Sequence, residues 1–168
     1  MELKIANIVN DSIVDGPGLR LTVFVQGCVH NCKGCHNPQT HDLNGGKTVD
    51  TSYILKTFFE NPLLDGITFS GGEPFLQPKP LGIIAKEIKE KGFNVIAYTG
   101  FTWEKLIENK EKYINLLKYV DILIDGPFVQ ELKSYDLDFK GSSNQRAIDV
   151  SASLAKNKII LYNFNKGE

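Results

Sequence analysis

Short hydrophobic runs alternate with amphipathic stretches along most of the chain. The first run, residues 21–26 (LTVFVQ), is rich in β-branched and aromatic residues and predicts a strand. After a loop, a helix is predicted near residues 51–60, because Asp50 is a suitable N-cap and the pair Asn61 and Pro62 stops a helix. The order of strand and then helix is typical of one unit of a parallel sheet.

The same order recurs further along the chain. Residues 66–70 predict a second strand, and the helix that follows Pro80 ends near Gly92. Residues 93–98 predict a third strand, which a helix from Thr102 follows, and residues 121–124 predict a fourth strand. Apolar residues at helical spacing support both helices: Leu81, Ile84, Ala85 and Ile88 in one, and Tyr113, Leu116, Leu117 and Val120 in the other.

These units predict an α/β fold with a mainly parallel sheet. At roughly 30 residues per βαβ unit, the chain holds about five or six parallel strands, which is too few for a closed eight-stranded barrel. We therefore expect an incomplete TIM-like (β/α) barrel, formed as a single domain over residues 1–168.

Glycine follows every predicted strand. Gly27 comes after the first strand, the sequence SGGEP (70–74) after the second, Gly100 after the third and Gly126 after the fourth. The carboxyl ends of parallel strands share one edge of the sheet, and ligands bind at that edge. Four glycine-containing tails on one edge therefore favour a ligand that approaches the backbone closely.

Charge and hydropathy exclude several classes of partner. The chain has 19 Lys and Arg against 20 Asp and Glu, a formal net charge of −1, so we expect neither nucleic acid nor a membrane surface as partner. No apolar run approaches the roughly 18 residues that span a bilayer, and the N-terminal sequence MELKIANIVNDS lacks a secretion signal. We therefore expect a cytoplasmic protein.

All three cysteines lie in one loop directly after the first predicted strand. Cys28, Cys32 and Cys35 have the spacing C-x3-C-x2-C. They do not form a disulfide framework, because their number is odd and they lie too close together to cross-link a small fold. Three thiolates on one loop can bind three irons of a 4Fe–4S cluster and leave the fourth iron open. The alternative is a structural zinc site, completed by one of three histidines: His30, His36 or His41.

The cysteine loop and the SGGEP turn together resemble the radical S-adenosylmethionine (SAM) superfamily. More narrowly, the chain is similar to the anaerobic ribonucleoside-triphosphate reductase-activating proteins over about residues 8–163. His36 stands where several of these proteins have tyrosine, and there the chain looks closer to the pyruvate formate-lyase-activating enzymes. The motifs that carry the resemblance are DGPGLR (15–20), FVQGCVHNCKGCHNP (24–38), FSGGEP (69–74), YTG (98–100), DGPFVQEL (125–132) and GSSNQR (141–146).

The resemblance implies specific roles for residues of the cysteine loop and the SGGEP turn. The three cysteines would bind the 4Fe–4S cluster, and SAM would chelate the fourth iron through its amino and carboxylate groups. Gly72 would let the methionine amino group meet the strand backbone. The residues that the resemblance places around SAM are Gly34, Cys35, His36, Gly72 and Glu73.

The sequence leaves more than one interpretation open for two carboxylates. Glu73 is placed in the site, and the alternatives are that it is a solvated surface charge or that it pairs with Arg20. Asp125 is a contact to the SAM ribose, a residue that supports such a contact from behind, or a helix cap. No residue is assigned as an acid–base catalyst, because the implied radical chemistry needs none.

The resemblance implies an enzyme that makes a glycyl radical on anaerobic ribonucleoside-triphosphate reductase. One electron from a reduced flavodoxin or ferredoxin would cleave SAM to methionine and a 5′-deoxyadenosyl radical, which would remove a Cα hydrogen from one partner glycine. Since an incomplete barrel leaves one side open, we expect a protein substrate, docked against residues 128–146. The alternatives are an activator of pyruvate formate-lyase, a 7-carboxy-7-deazaguanine synthase-like enzyme and a zinc-stabilised interaction module.

Overall fold

The computed structural model describes residues 1–165, which contain seven strands and five α-helices. The strands are β1 (Glu2–Ser12), β2 (Arg20–Val25), β3 (Lys47–Asp50), β4 (Gly66–Gly71), β5 (Asn94–Tyr98), β6 (Ile122–Asp125) and β7 (Arg146–Asp149). The helices are α1 (Thr51–Phe59), α2 (Pro78–Glu90), α3 (Trp103–Glu108), α4 (Lys110–Leu117) and α5 (Val150–Lys156). The α/β class that the sequence predicts is confirmed.

All seven strands form one mixed sheet in the order β3-β1-β2-β4-β5-β6-β7. Strands β2, β4, β5 and β6 run parallel, whereas β1, β3 and β7 are antiparallel to their neighbours. The sheet thus has four parallel strands instead of the expected five or six. A parallel connection needs a crossover of a dozen or more residues, usually helical. The segment 126–145 before β7 contains a short 3-10 helix and no α-helix, and β7 returns antiparallel to β6.

The two faces of the sheet differ in what covers them. Alternate residues of the parallel strands, such as Val23, Phe69 and Ala97, join the main hydrophobic core with the helices. The residues between them face the other side, where Ile96 and Ile124 belong to a second, smaller cluster. That cluster is covered by four aromatic side chains from the strands, loops and C-terminal segment: Tyr98, Phe139, Tyr162 and Phe164.

The predicted helix boundaries are largely confirmed. Asp50 caps α1, since its Oδ1 accepts a hydrogen bond from the Ser52 amide at 2.9 Å. Gly92, with a φ of +87°, follows the end of α2. The third predicted helix is interrupted at Asn109, a poor helix former, and becomes α3 and α4.

The N-terminal strand β1 was not among the predicted elements. Its residues Leu3 and Ile5 are fully buried and alternate with polar neighbours, which is the period of a strand. In the part of the chain that the structure describes, none of the helices has both the length and the apolar character needed to cross a membrane.

Candidate functional site

A cavity of about 940 Å³ lies at the carboxyl ends of the parallel strands. Each of the four glycine-containing strand tails contributes to its wall, through Cys28 after β2, Gly72 after β4, Gly100 after β5 and Gly126 after β6. The prediction that the four tails share one edge of the sheet is therefore confirmed, and they also line one cavity.

The cysteine loop, residues 27–41, forms one side of this cavity. Two backbone hydrogen bonds close its base, from Gly27 N to Thr40 O at 2.7 Å and from Cys28 N to His41 O at 3.2 Å. Within the loop, Cys35 N donates to Cys32 O at 3.2 Å. All three cysteines are free thiols that are half-buried and line the cavity.

The thiols have the chemical character of soft metal ligands. Burial raises the pKa of the Cys28 thiol, and a hydrogen bond from the backbone of His30 partly offsets that effect. A bound cation would instead stabilise the thiolate. Over residues 1–165, no three His, Cys, Asp or Glu side chains converge closely enough to hold a single metal ion. Three thiols on one cavity wall fit an iron–sulfur cluster, whose thiolates bind separate irons.

Some of the residues that the resemblance places around SAM line the cavity, and others do not. Cys35, His36 and Gly72 line the cavity, and the His36 ring lies 4.9 Å from the ring of Phe128. Gly34 lies outside the wall. Its φ is +74°, and a Cβ there would come within 2.8 Å of the Gln130 side chain, so the loop requires glycine at this position for its turn.

Gly72 has a structural reason to be glycine that the sequence did not indicate. A Cβ at this position would collide with the carbonyl oxygen of Gly27 and would lie 3.0 Å from the carbonyl oxygen of Val25. The Gly72 amide also donates to Val25 O at 2.9 Å. The tail of β4 is therefore pressed against the base of the cysteine loop, whatever else Gly72 contacts in the cavity.

Glu73 is fully buried and lies behind the cavity wall. Its Oε1 accepts from Thr99 Oγ1 at 2.8 Å and from the Phe75 amide at 2.9 Å, while Oε2 accepts from the Gly100 amide at 2.8 Å. The remaining partner of Oε2 is His30, at 2.6 Å. The two alternatives that would have given Glu73 no role in the site are wrong, because its side chain is neither exposed to solvent nor paired with Arg20.

Arg20 occupies a separate buried position lower in the sheet. Its guanidinium donates to Thr68 Oγ1 at 2.6 Å, to Ile67 O at 2.8 Å and to Pro17 O at 3.1 Å. Burial lowers its pKa to about 10, against the opposing effect of nearby acidic groups. The arginine of the DGPGLR motif thus fixes the entry to β2, whereas Asp15 of the same motif lines the cavity.

Asp125 does not line the cavity and supports the N-terminus of α3, whose N-cap is Thr102. Only 1% of its side chain is exposed, and its Oδ2 accepts from the Trp103 amide at 2.7 Å and from Arg146 Nη2 at 2.6 Å. Arg146 also forms a two-point ion pair with Glu104, at 2.8 and 3.0 Å. The Arg146 side chain lowers the pKa of the Glu104 carboxyl.

The segment 127–145 forms another part of the cavity wall. Gln145 braces its base: Oε1 accepts from the Gly141 amide at 2.8 Å, and Nε2 donates to Gly126 O at 3.0 Å. Asn144 Nδ2 donates to Pro127 O at 2.8 Å. Phe128 of this segment is half-buried against His36. The GSSNQR motif therefore shapes the cavity wall from within.

Sequence comparisons place the chain in a known family. The model of the 4Fe-4S single cluster domain matches residues 14–148. Anaerobic ribonucleoside-triphosphate reductase-activating proteins of Vibrio cholerae serotype O1 and Escherichia coli K12 are 33% and 37% identical over 142 residues, covering 79% of this chain and 89% and 90% of theirs. A pyruvate formate-lyase-activating enzyme of Clostridium pasteurianum is 38% identical over 127 residues, covering 70% of this chain and 53% of that enzyme. With its three thiols on one cavity wall, the chain thus belongs to the family of anaerobic ribonucleoside-triphosphate reductase-activating proteins.

Proposed function

We propose that the protein is a radical SAM activase that generates a glycyl radical on anaerobic ribonucleoside-triphosphate reductase. One observation carries this proposal: the three thiols of the cysteine loop and all four parallel strand tails line the same cavity of about 940 Å³. The proposal treats residues 1–168 as one radical SAM domain, with the four parallel strands as the incomplete barrel.

In this proposal Cys28, Cys32 and Cys35 hold a 4Fe–4S cluster, and SAM occupies the cavity beside it. When bound and reduced, the cluster supplies the electron that divides SAM into methionine and the 5′-deoxyadenosyl radical that removes a glycine Cα hydrogen. The cavity wall contributes Cys35, His36 and the Gly72 backbone to the SAM site. Gly34 and Glu73 contribute indirectly, through the turn of the loop and through the hydrogen bonds behind the wall.

In this proposal the residues of the chain bind the cluster and SAM and enclose them in the cavity. None of these residues has to transfer a proton. Backbone groups of the strand tails face the cavity, where close approach is possible because the tails carry glycine. The segment 127–145 contributes a further part of the wall, which would limit the access of water to a reactive intermediate. The electron has to come from another protein, for which we propose a reduced flavodoxin or ferredoxin, and the proposal involves neither nucleic acid nor a membrane.

A second candidate is activation of pyruvate formate-lyase. It is favoured by the 38% identity to the clostridial activating enzyme and by His36, where the resemblance is closer to those enzymes. The chain covers only 53% of that relative, against about nine tenths of the reductase-activating proteins. The length of the match therefore favours the reductase as the partner.

The proposal is tested by mixing the anaerobically reconstituted, reduced protein with SAM and the reductase from the same organism. We expect a glycyl-radical signal in the EPR spectrum with the reductase and none with pyruvate formate-lyase, whereas methionine release reports SAM cleavage with or without a partner. Cys28→Ala, Cys32→Ala and Cys35→Ala should each lose the cluster and its roughly four irons while keeping the native circular dichroism, because the half-buried thiols lie outside the core. A variant with a complete cluster and normal turnover would refute the ligand assignment, and a signal only on pyruvate formate-lyase would favour the second candidate.

A further inference from the structure

A buried hydrogen-bonded bridge joins the cysteine loop to the turn after β4. His30, which stands between the first two cysteines, has its Nε2 2.6 Å from Oε2 of Glu73. The other three partners of the Glu73 carboxyl group all donate to it, so the imidazole is assigned as a fourth donor, through Nε2. The side chain of His30 is 15% exposed and that of Glu73 is not exposed at all, so water does not compete with this contact.

The other side of the bridge reaches two more strand tails. The Glu73 carboxylate holds Thr99 and Gly100 after β5, and its backbone N–H donates to Gly27 O after β2 at 2.8 Å. Glu73 therefore connects three of the four tails that surround the cavity. His30 adds the cysteine loop to this connected set.

The imidazole of His30 occupies a closely fitted slot. Its ring packs edge-on against the ring of Phe101, with 4.6 Å between the centroids. A Cβ at Gly100 would come within 2.7 Å of His30 Cγ, so the glycine leaves just enough room for the ring. The neighbours Val29 and Asn31 are exposed. Between Cys28 and Cys32, His30 is thus the side chain that anchors the loop to the sheet.

We propose that His30 is a positioning residue for the proposed function on which this inference rests. By binding Glu73, it fixes the first half of the cysteine loop relative to the Gly72 and Gly100 backbones. The cysteines and the cavity wall that would face SAM are then held in a fixed relative position before the cluster or SAM binds. Partners that orient ligands in this way commonly change affinity or activity by about tenfold to a hundredfold when they are removed.

The first arm of the test uses the metal-free protein and does not depend on the proposed function. Amide hydrogen exchange is compared between wild type, His30→Ala and His30→Gln, with Val29→Ala as a control in the same loop. In His30→Ala we expect the hydrogen-bonded amides of Cys28, Cys35 and Gly100 to exchange at least about tenfold faster, with the strands unchanged. His30→Gln should recover part of the protection, because its amide N–H can still donate to Glu73.

The second arm uses protein with a reconstituted cluster. SAM affinity should fall by about tenfold or more in His30→Ala, and the SAM-induced change in the EPR spectrum of the reduced cluster should weaken. Both should recover in His30→Gln and stay normal in Val29→Ala.

Wild-type exchange in the loop of His30→Ala, or faster exchange throughout the sheet, would overturn the positioning role. Unchanged SAM affinity in a variant with a loosened loop would overturn it as well. A wild-type protein that assembles no cluster would refute the proposed function, while the first arm would still decide whether the bridge orders the loop.

Discussion

At the scale of single residues, the glycines of the cysteine loop and of the strand tails differ in why they are glycine. Gly34 adopts a left-handed φ of +74°, whereas Gly72 has an ordinary φ and is limited by the backbone that faces it. The space for a side chain at Gly72 is filled by the carbonyls of Gly27 and Val25. A substitution at Gly72 therefore acts first on the packing of the protein and only then on a bound ligand.

We predict that Gly72→Ala destabilises the metal-free protein by about 1–3 kcal/mol, the usual cost of overpacking a closed site. Urea unfolding monitored by circular dichroism measures this change. Gly92→Ala is the matched control, because a Cβ at Gly92 would meet nothing within 4 Å and only its φ of +87° is unfavourable. Unchanged stability in Gly72→Ala, together with loss of SAM binding, would instead assign the glycine to the ligand.

The sequence identified the chemistry of the cysteine loop but not its support. The spacing of Cys28, Cys32 and Cys35 is a local feature and can be read directly from the chain. The bridge between His30 and Glu73 joins residues that are distant in the sequence, and nothing in the local pattern of either residue indicates the other. For this reason His30 entered the sequence analysis only as a candidate zinc ligand.

At the scale of elements, the predicted units were those with strong local signals. The strands β2, β4, β5 and β6 are short runs rich in β-branched and aromatic residues, and Asp50 and Gly92 mark helix ends, so pattern and caps suffice. Strand β7 was missed because only four residues pair with β6, and its first residue, Arg146, is charged. Tertiary contacts, above all the ion pair with Asp125, place that arginine in a strand.

We predict that Arg146→Met destabilises the metal-free protein by about 2 kcal/mol, because it leaves the buried Asp125 carboxylate without its cation. This value lies below that for a fully buried pair, since the arginine is 33% exposed. The double variant Asp125→Asn with Arg146→Met should regain part of the loss, because the neutral amide can still accept from the Trp103 amide. Additive effects in urea unfolding would show that the two side chains do not interact.

The second ion pair of Arg146, with Glu104, has a pH dependence of known sign. The folded-state pKa of Glu104 is lowered, first by its hydrogen bonds with Arg146. Its stabilising contribution is therefore complete above the ordinary pKa of about 4.5 and is lost as the pH falls through the lowered value. The difference in stability between wild type and Arg146→Met should accordingly narrow in acid.

At the scale of the whole molecule, the open sheet leaves the cavity accessible from one side. Its rim carries apolar side chains that a protein in water rarely exposes together: Ile13 and Val14 are each 72% exposed, and Tyr135 is 90% exposed. Ile13 and Val14 follow β1, and Tyr135 lies in the segment 127–145, so the rim spans both sides of the opening. The expected docking segment 128–146 is therefore only half of the surface that a partner would meet. Its members Phe128 and Gln145 serve the wall itself.

We predict that Ile13→Ser and Tyr135→Ser lower glycyl-radical formation on the reductase several-fold more than they lower partner-free SAM cleavage. The reason is that exposed rim side chains add little to the fold, whereas apolar anchors at the centre of an interface commonly contribute about 2 kcal/mol or more each. Leu63→Ser is the matched control, because Leu63 is equally exposed, at 73%, but is not among the residues that line the cavity. EPR and methionine-release measurements on each of the three variants give the ratio of glycyl-radical formation to partner-free SAM cleavage. Equal losses in both assays would place the rim in the SAM site, and an equal effect of Leu63→Ser would show that surface apolarity matters irrespective of its position.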